Sequence, residues 1–320
     1  MEQTERLQAV DRKRKREKMS SYYGKKTRSL SAMAAPGSAL IFLFSYVPMF
    51  GLILAFKNFR YDMGIFGSDW CGLDNFEFFF TSQDAWRVTR NTLLLNIIFI
   101  ITTLVVSLAV AVVLYQITNR IFIKLYQTMI FVPYFLSMAV VAFVVYAFLN
   151  VDMGVVNNIL KKLGMDPVMW YARADLWPGL LTGINLWKNL GYYVLVYYAA
   201  LMGLDASCFE AAEMDGASKW QTMVKIAIPM IAPVIIVMLL LQIGKIFYSD
   251  FGLFYLVTRN SGSLYSTVDV IDTYIFRALR VSGDIGVSAA VGMYQSVVGF
   301  ALVLISNLLV KRYDPDSALF

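Results

Sequence analysis

Apolar residues gather into six long runs along this chain, at about 37–56, 92–115, 125–149, 177–202, 227–250 and 286–310. Each reaches the ~20 residues a helix needs to cross the hydrocarbon core of a bilayer. Pro36 marks the start of the first run and Pro48 a kink within it, while Pro133 and Pro233 kink the third and fifth. Proline removes a backbone donor and frees the carbonyl that would have received it. In lipid such groups must find partners on neighbouring helices, so the pattern predicts a packed bundle rather than isolated anchors. The expected fold class is an all-α integral membrane protein, a six-span helical bundle.

Composition agrees. Hydrophobic residues make up 58% of the 320 residues and charged residues 16%. A soluble domain of this length could not hide so much apolar surface. The chain has no histidine, which excludes histidine catalysis and histidine-ligated metal. Its two cysteines, Cys71 and Cys208, are too few and too far apart for a metal cluster. No catalytic residue, metal site or cofactor is expected.

Charge sets the orientation. Ten Lys and Arg fall within residues 1–29, including the run Arg12 to Arg16. This segment reads as a disordered cytoplasmic tail touching anionic headgroups, not as a nucleic-acid-binding arm or a cleaved signal peptide. With the tail inside, inside segments hold sixteen basic residues, outside segments ten, and two, Lys188 and Lys245, fall within spans. The positive-inside rule then places both termini in the cytoplasm. Cys71 lies outside and Cys208 inside, so the two cannot bridge.

The longest polar interruption of the second half, 203–225, reads as helix, turn, helix. Asp205 caps a first short helix, and Ala206, Ala211 and Ala212 favour it. Gly216 tolerates the positive φ that ends it. Ser218 and Gln221 have capping-box spacing for a second helix, and Pro229 bars simple continuation into the next apolar run. The orientation puts this loop in the cytoplasm.

Outside loops carry structure too. Trp70, Phe76, Phe78, Phe79, Phe80 and Trp86 suit an interfacial aromatic belt. Val268, Ile271, Ile275 and Leu279 recur at helical spacing over 267–280, with Asp269, Asp272 and Arg277 on other faces. That helix either lies on the bundle at the membrane surface or offers a platform for an external partner.

Polar groups inside spans are expensive and usually face a cavity. The fourth span carries Asn185, Trp187, Lys188, Asn189, Gly191, Tyr192 and Tyr193; the fifth Gln242, Lys245 and Tyr248; the sixth Tyr294 and Gln295. Aromatic faces beside amides suit sugar rings, whose C–H faces stack while their hydroxyls hydrogen-bond. For any single Tyr, belt or helix packing is the simpler role. For Lys188 and Lys245 three resolutions are open: snorkelling, a carboxylate on another subunit, or anionic cargo.

Glu210-Ala211-Ala212, then Gly216, then Ile226-Ala227-Ile228-Pro229 resembles the cytoplasmic loop of binding-protein-dependent ABC importer permeases, with Ile228 in place of the usual Leu. Tyr46-Val47-Pro48-Met49-Phe50-Gly51, Leu73-Asp74-Asn75-Phe76, Arg90-Asn91-Thr92-Leu93, Val268 to Tyr274 and Gly292 to Gly299 are similar to the maltose-type carbohydrate permeases. The branch for oligosaccharides and polysaccharides, which includes lipoprotein-associated permeases, is the most similar. The resemblance covers about residues 30–313, leaving the basic tail and the short C-terminus at 314–320. It implies half of a heterodimeric pore in a bacterial cell membrane. A second homologous permease would be the other half, with two ATPase subunits beneath and an external solute-binding protein delivering a carbohydrate, and with the sugar site of one of the two permeases in its fourth and fifth spans.

A reason for coupling follows from the residues. The chain has no GxxxxGK[ST] phosphate cradle, so ATP chemistry belongs to another subunit. A short helix across the span ends can sit in a cleft and pass on rigid-body rotation. Glu210 and Asp215 are candidate partners for basic ATPase groups, Ala211 and Ala212 allow close approach, and Gly216 makes the turn. Glu213 and Lys219 read as solvated helix surface. The rival reading, a proton-coupled secondary carrier, would want acids or histidine inside a span. Asp250, at the far end of the fifth run, is the only acid within one.

Overall fold

The computed structural model describes residues 30–313, together with Thr27. What the sequence predicts for the remainder of the basic tail and for 314–320 lies outside the described residues. The chain divides into two compact units, Met1–Leu54 and Ala55–Phe320. Helix α1 (Leu30–Phe56) carries the described part of the first unit. It changes winding around Pro48, with a π-wound turn at Phe42–Tyr46 and a 3-10 stretch at Val47–Phe56. The expected kink is thus a change of helical pitch, which accommodates a residue with no N–H to donate.

The second unit opens with a feature absent from the sequence reading, a two-stranded ribbon of β1 (Lys57–Asn58) and β2 (Asp69–Trp70). Buried Lys57 holds it by donating to the carbonyls of Ile65, Phe66 and Ser68 at 2.9, 3.0 and 3.0 Å. Next come α2 (Asp74–Thr81) and α3 (Gln83–Gln116), the latter N-capped by Ser82, whose Oγ accepts from the Ala85 N–H. At 34 residues, α3 is about 51 Å long and starts well before the apolar run at 92. Phe79 is buried core rather than belt, whereas Trp70, Phe78, Phe80 and Trp86 are exposed.

The third run is not one continuous helix. It forms α4 (Arg120–Phe135) and α5 (Met138–Leu149), bent by 99°. Pro133 sits in a closing 3-10 turn, Leu136 is extended, and Ser137 starts a new helix by accepting from the Val140 N–H. After α6 (Val155–Lys162) comes α7 (Trp177–Met202), which coincides with the fourth run. Then follow α8 (Ala206–Met214), α9 (Lys219–Met230) and α10 (Ala232–Ile243), with bends of 72° between α7 and α8 and 62° between α9 and α10. Pro229 does not stop its helix. A π-wound stretch at Met223–Ala227 leads into the short turn containing the proline, and the chain breaks only at Ile231, just before Pro233. The fifth helix ends at Ile243, short of the predicted 250, where Gly244 begins a series of turns. A π-wound segment at Gly252–Val257, α11 (Ile271–Arg280) and α12 (Ile285–Tyr313) complete the unit. Among the described residues three helices are long and apolar enough to cross a membrane, and six spans result if each bent pair counts once.

Three buried clusters form the core. Phe79, Val88, Phe247, Ile271 and Val291 make one, and Leu95, Phe99, Val141, Trp177, Leu181 and Leu253 the next. Ala111, Leu114, Val194, Tyr197, Leu201 and Met223 make the third. The early part of α3 shares a cluster with the start of α7, and the end of α3 with the end of α7, so the two helices run side by side in the same direction.

The 267–280 stretch departs from its pattern. A short helix ends at Val268 and the main one begins at Ile271, and Asp269, expected off the apolar face, is 1% exposed. Its carboxylate accepts from Arg277 Nη2 at 2.6 and 2.7 Å, Arg87 Nη2 at 3.0 Å and the Thr273 hydroxyl at 2.9 Å. Asn91 donates to the carbonyls of Ser266 and Asp269, and the Thr92 hydroxyl accepts from the Ile271 N–H. Two of the motifs that carry the family resemblance therefore clamp onto each other. Asp272, partly buried, accepts from the Ser249 N–H at 2.7 Å and Gln295 Nε2 at 3.1 Å.

Candidate functional site

The polar loop folds as its sequence requires. Asp205 accepts from the Ser207 N–H at 3.0 Å, and that bond holds its carboxyl below the ordinary aspartate value. α8 then closes in a Schellman motif. Ala217 N–H donates to Ala212 O at 2.9 Å and Gly216 N–H to Glu213 O at 3.0 Å, with Gly216 at φ +77°. Ser218 and Gln221 complete a reciprocal capping box at 3.3 and 2.9 Å. Phe209 stacks near Tyr115 at 5.7 Å and ties α8 to the end of α3.

Sequence-selected residues of this loop divide by face. Glu210, Ala211, Asp215 and Gly216 are exposed, as are Glu213 and Lys219. Ala212 is buried against the chain's own helices, so it does not supply close approach to an outside partner. Two large apolar side chains that the polar reading passed over, Met214 at 88% and Trp220 at 66% exposure, stand out from the same loop. Glu210 and Asp215 form no ion pair among the described residues.

Between α3, α7 and α10 lies a cavity of about 410 Å³. From α7 it takes Asn185, Asn189, Tyr192 and Tyr193; from α10 and the turns after it, Gln242, Lys245, Tyr248 and Asp250. Asn96, Phe99 and Thr103 of α3 and Tyr134 of α4 also line it, with apolar side chains between them. The same signal, polar groups within an apolar run, would have found Asn96 and Thr103. Tyr134 follows a proline and carried no such mark. Its ring stacks on Tyr192 with centroids 5.4 Å apart and planes 14° from parallel, and Tyr193 meets Tyr192 edge-on at 5.2 Å.

The cavity's polar atoms are only partly committed. Asn189 donates to Asn185 Oδ1 at 2.9 Å, Asn96 to Ile246 O at 2.9 Å, and the Tyr248 hydroxyl meets Ser296 Oγ at 3.2 Å. Asp250 accepts from the Leu253 N–H at 3.1 Å. Gln242 Nε2 is buried and has no acceptor among the described residues, and exposed Lys245 makes no ion pair there.

Five sequence-selected residues fall elsewhere. Trp187 is 45% exposed and does not line the cavity. Lys188 is buried and donates to the carbonyls of Tyr134 and Leu136 at 3.2 and 2.5 Å, a resolution not among the three foreseen for it. Gly191 faces α4 so closely that a Cβ would lie 2.4 Å from Ile130 O. Tyr294 packs against Phe79, Phe80 and Phe247. Gln295 is buried and donates to Phe247 O at 2.6 Å as well as to Asp272. A second cavity of about 510 Å³, between α5 and residues 255–260, is walled mainly by Ala139, Ala142, Phe143, Tyr146, Tyr255 and Leu256, with Arg259 over the Tyr146 ring. It contains none of the sequence-selected residues.

Known proteins resemble this chain in sequence and in fold. The family described as binding-protein-dependent transport system inner membrane component matches residues 103–315. Protein LplB of Bacillus subtilis is 32% identical, with 91% of each chain aligned. The polygalacturonan/rhamnogalacturonan transport system permease protein YteP of the same organism is 31% identical, over 90% of this chain and 89% of that protein. Among solved structures, a bacterial ABC transporter involved in the import of the acidic polysaccharide alginate has a chain that superposes with a TM-score of 0.83. That chain is 31% identical, with 91% of this chain and 97% of that one covered.

Proposed function

Because the chain belongs to the family of binding-protein-dependent transport system inner membrane components, we propose that it forms half of a translocation pore for an oligosaccharide and that the cavity between α3, α7 and α10 lies on the cargo's path. The other half is a second, homologous permease. A solute-binding protein delivers cargo at the outer face, and separate ATPase subunits hydrolyse ATP beneath; this chain is not an enzyme. Both termini and the 203–225 loop face the cytoplasm. The ATPase dock is the exposed face of α8 and its turn, with Glu210, Ala211, Asp215 and Gly216, joined by Met214 and Trp220.

The cavity lining carries this reading. Tyr134, Tyr192, Tyr193 and Tyr248 offer ring faces, beside Asn96, Asn185, Asn189 and Gln242. Apolar rings with a few placed polar groups are how small-molecule sites fix a ligand, and the Gln242 donor left without an acceptor matches a ligand hydroxyl. Lys245, which has no ion pair among the described residues, favours a cargo bearing carboxylates. The substrates in the names of similar proteins, polygalacturonan and alginate, support the same class.

The test is import by the whole complex in proteoliposomes, supplied with its binding protein and offered tetragalacturonate or maltotetraose. The acidic tetramer is expected to be preferred, and Lys245→Gln to reduce that preference about tenfold through loss of one charge pair. Equal import of both tetramers, unchanged in the glutamine variant, would sink the acidic-cargo reading. Undiminished import by Tyr192→Ala would remove the cavity from the path.

A further inference from the structure

We infer that Lys188 is a positioning residue: its ammonium holds the broken third span in the register that sets the Tyr134 ring against Tyr192 in the cavity wall. The problem it solves is local. α4 ends in a 3-10 turn at Val132–Phe135, Leu136 is extended, and α5 starts after Ser137. The carbonyls of Tyr134 and Leu136 therefore fall between two helical hydrogen-bond ladders, inside the third apolar run. Backbone groups there need partners from within the protein.

Lysine suits the gap, since its ammonium has three donors and no acceptor. Lys188 is 9% exposed and gives two of those donors to Tyr134 O at 3.2 Å and Leu136 O at 2.5 Å. A charged donor makes a stronger bond to a carbonyl than a neutral one, and the ion gains the solvation that burial removed.

The same face of α7 is pressed against this segment by a second device. Gly191, three residues on and so on the same side of the helix, lets the backbones meet. A Cβ there would stand 2.4 Å from Ile130 O and 2.6 Å from Phe131 Cα. One turn beyond Lys188 is Tyr192, whose ring stacks on Tyr134, and both rings line the cavity. Glycine thus fixes how near the two segments come, the lysine fixes where the bend sits along α7, and the tyrosine pair follows. Lys188 itself does not line the cavity. Only the transport arm below rests on the cavity being the cargo path.

The geometric arm needs no cargo. In the assembled complex, with Cys71→Ser and Cys208→Ser, cysteines replace Tyr134 and Tyr192 and a short bis-thiol reagent joins them. Cross-linking per assembled complex is expected to fall about tenfold in Lys188→Met, the scale of losing hydrogen bonds to a charged donor, and to recover in Lys188→Arg, which keeps donors and charge. A role in overall stability alone would lower the yield of complex but not this ratio. Should Lys188→Met not assemble, Lys188→Gln, shorter and uncharged, is read with the same expectation. Cross-linking equal to that of the lysine parent overturns the inference.

The transport arm measures tetragalacturonate imported per ATP hydrolysed. A fall in Lys188→Met, restored by arginine and similar in size to that in Tyr192→Ala, supports the assignment. A fall in Tyr192→Ala with none in Lys188→Met overturns it. If cross-linking is lost while both variants import normally, the positioning stands and the cavity reading fails.

Discussion

Asp269→Asn should be among the most damaging single-atom-scale changes in this chain. The Asp269 side chain is fully buried, and its two oxygens take Arg277 Nη2 at 2.6 and 2.7 Å, Arg87 Nη2 at 3.0 Å and the Thr273 hydroxyl at 2.9 Å. Asparagine keeps the shape, gives up the charge and turns one acceptor into a donor facing a guanidinium. Arg87 has a second anion, Asp84 at 2.8 Å, and is 30% exposed, so it loses least. Arg277 is 16% exposed and has no other ion pair among the described residues; only the Tyr265 ring, 4.2 Å from its guanidinium, and a long contact to Asn260 remain. Removing one partner of a buried ion pair typically costs about 3–5 kcal/mol, and the relief available to Arg87 puts this case near ~3 kcal/mol. The assay is unfolding of the purified complex in mixed micelles of rising SDS fraction, followed by tryptophan fluorescence. The double change Asp269→Leu with Arg277→Met should recover much of the loss, because an apolar replacement strands no charge. An Asp269→Asn complex within about 1 kcal/mol of the parent, the range of ordinary surface changes, would refute the assigned role.

Three further predictions concern the loop, the topology and pH. At Gly216 an added Cβ meets nothing within 4 Å, so Gly216→Val acts through the +77° φ alone; about 1–2 kcal/mol of backbone strain should abolish import while membrane insertion stays normal, and Glu210→Lys should reduce ATPase recovery in a detergent pull-down. Normal uptake in the first variant and full recovery in the second would exclude the docking role. A membrane-impermeant thiol reagent added to intact spheroplasts should leave Cys208 unlabelled until the membrane is opened and should reach Cys71 if that site is accessible; labelling of Cys208 from outside reverses the orientation. Burial raises the Asp272 carboxyl above its ordinary 3.8, against the smaller lowering by its bonds to Ser249 and Gln295. The folded state therefore holds that proton more tightly, so stability is greatest below the unfolded value and is lost as pH rises through the folded one. Asp272→Asn should flatten that slope in thermal denaturation across the acidic range, and an unchanged slope would show that the group does not govern it.

What could be read from the sequence was local, and what escaped it was distant. Asp205, Gly216, Ser218 and Gln221 declare their roles within a few positions, so the helix–turn–helix loop was legible down to its hydrogen bonds. α7 coincides with its apolar run because both ends are set nearby, by Pro178 and Gly203. Pro133 and Pro233 marked where spans would be disturbed but not by how much, since a 99° bend depends on which other helix takes the freed carbonyls. The sequence placed Asp269 off the apolar stripe and gave no sign of its burial; its partner Arg87 is 182 positions away. Half of the cavity was found by looking for amides and rings in the fourth and fifth spans. Asn96, Phe99, Ile100, Thr103 and Tyr134 come from α3 and α4, which only packing brings opposite.

Lys57, Lys188 and Lys245 show how burial separates structural charge from available charge. Lys57 commits its ammonium to three carbonyls, beside the Trp70 ring 5.2 Å away. Lys188 gives its ammonium to two carbonyls at a helix break. In both, irregular backbone supplies the partial negative charge that an acidic residue would otherwise provide, and the positive charge is consumed by the fold. Lys245 differs: it lines the cavity, is exposed, and has no hydrogen bond from its ammonium among the described residues. Snorkelling therefore need not be invoked for Lys188, and the argument for anionic cargo, weak when spread over both span lysines, narrows to Lys245. A charge with no bond among the described residues is the one that a carboxylated sugar can still claim.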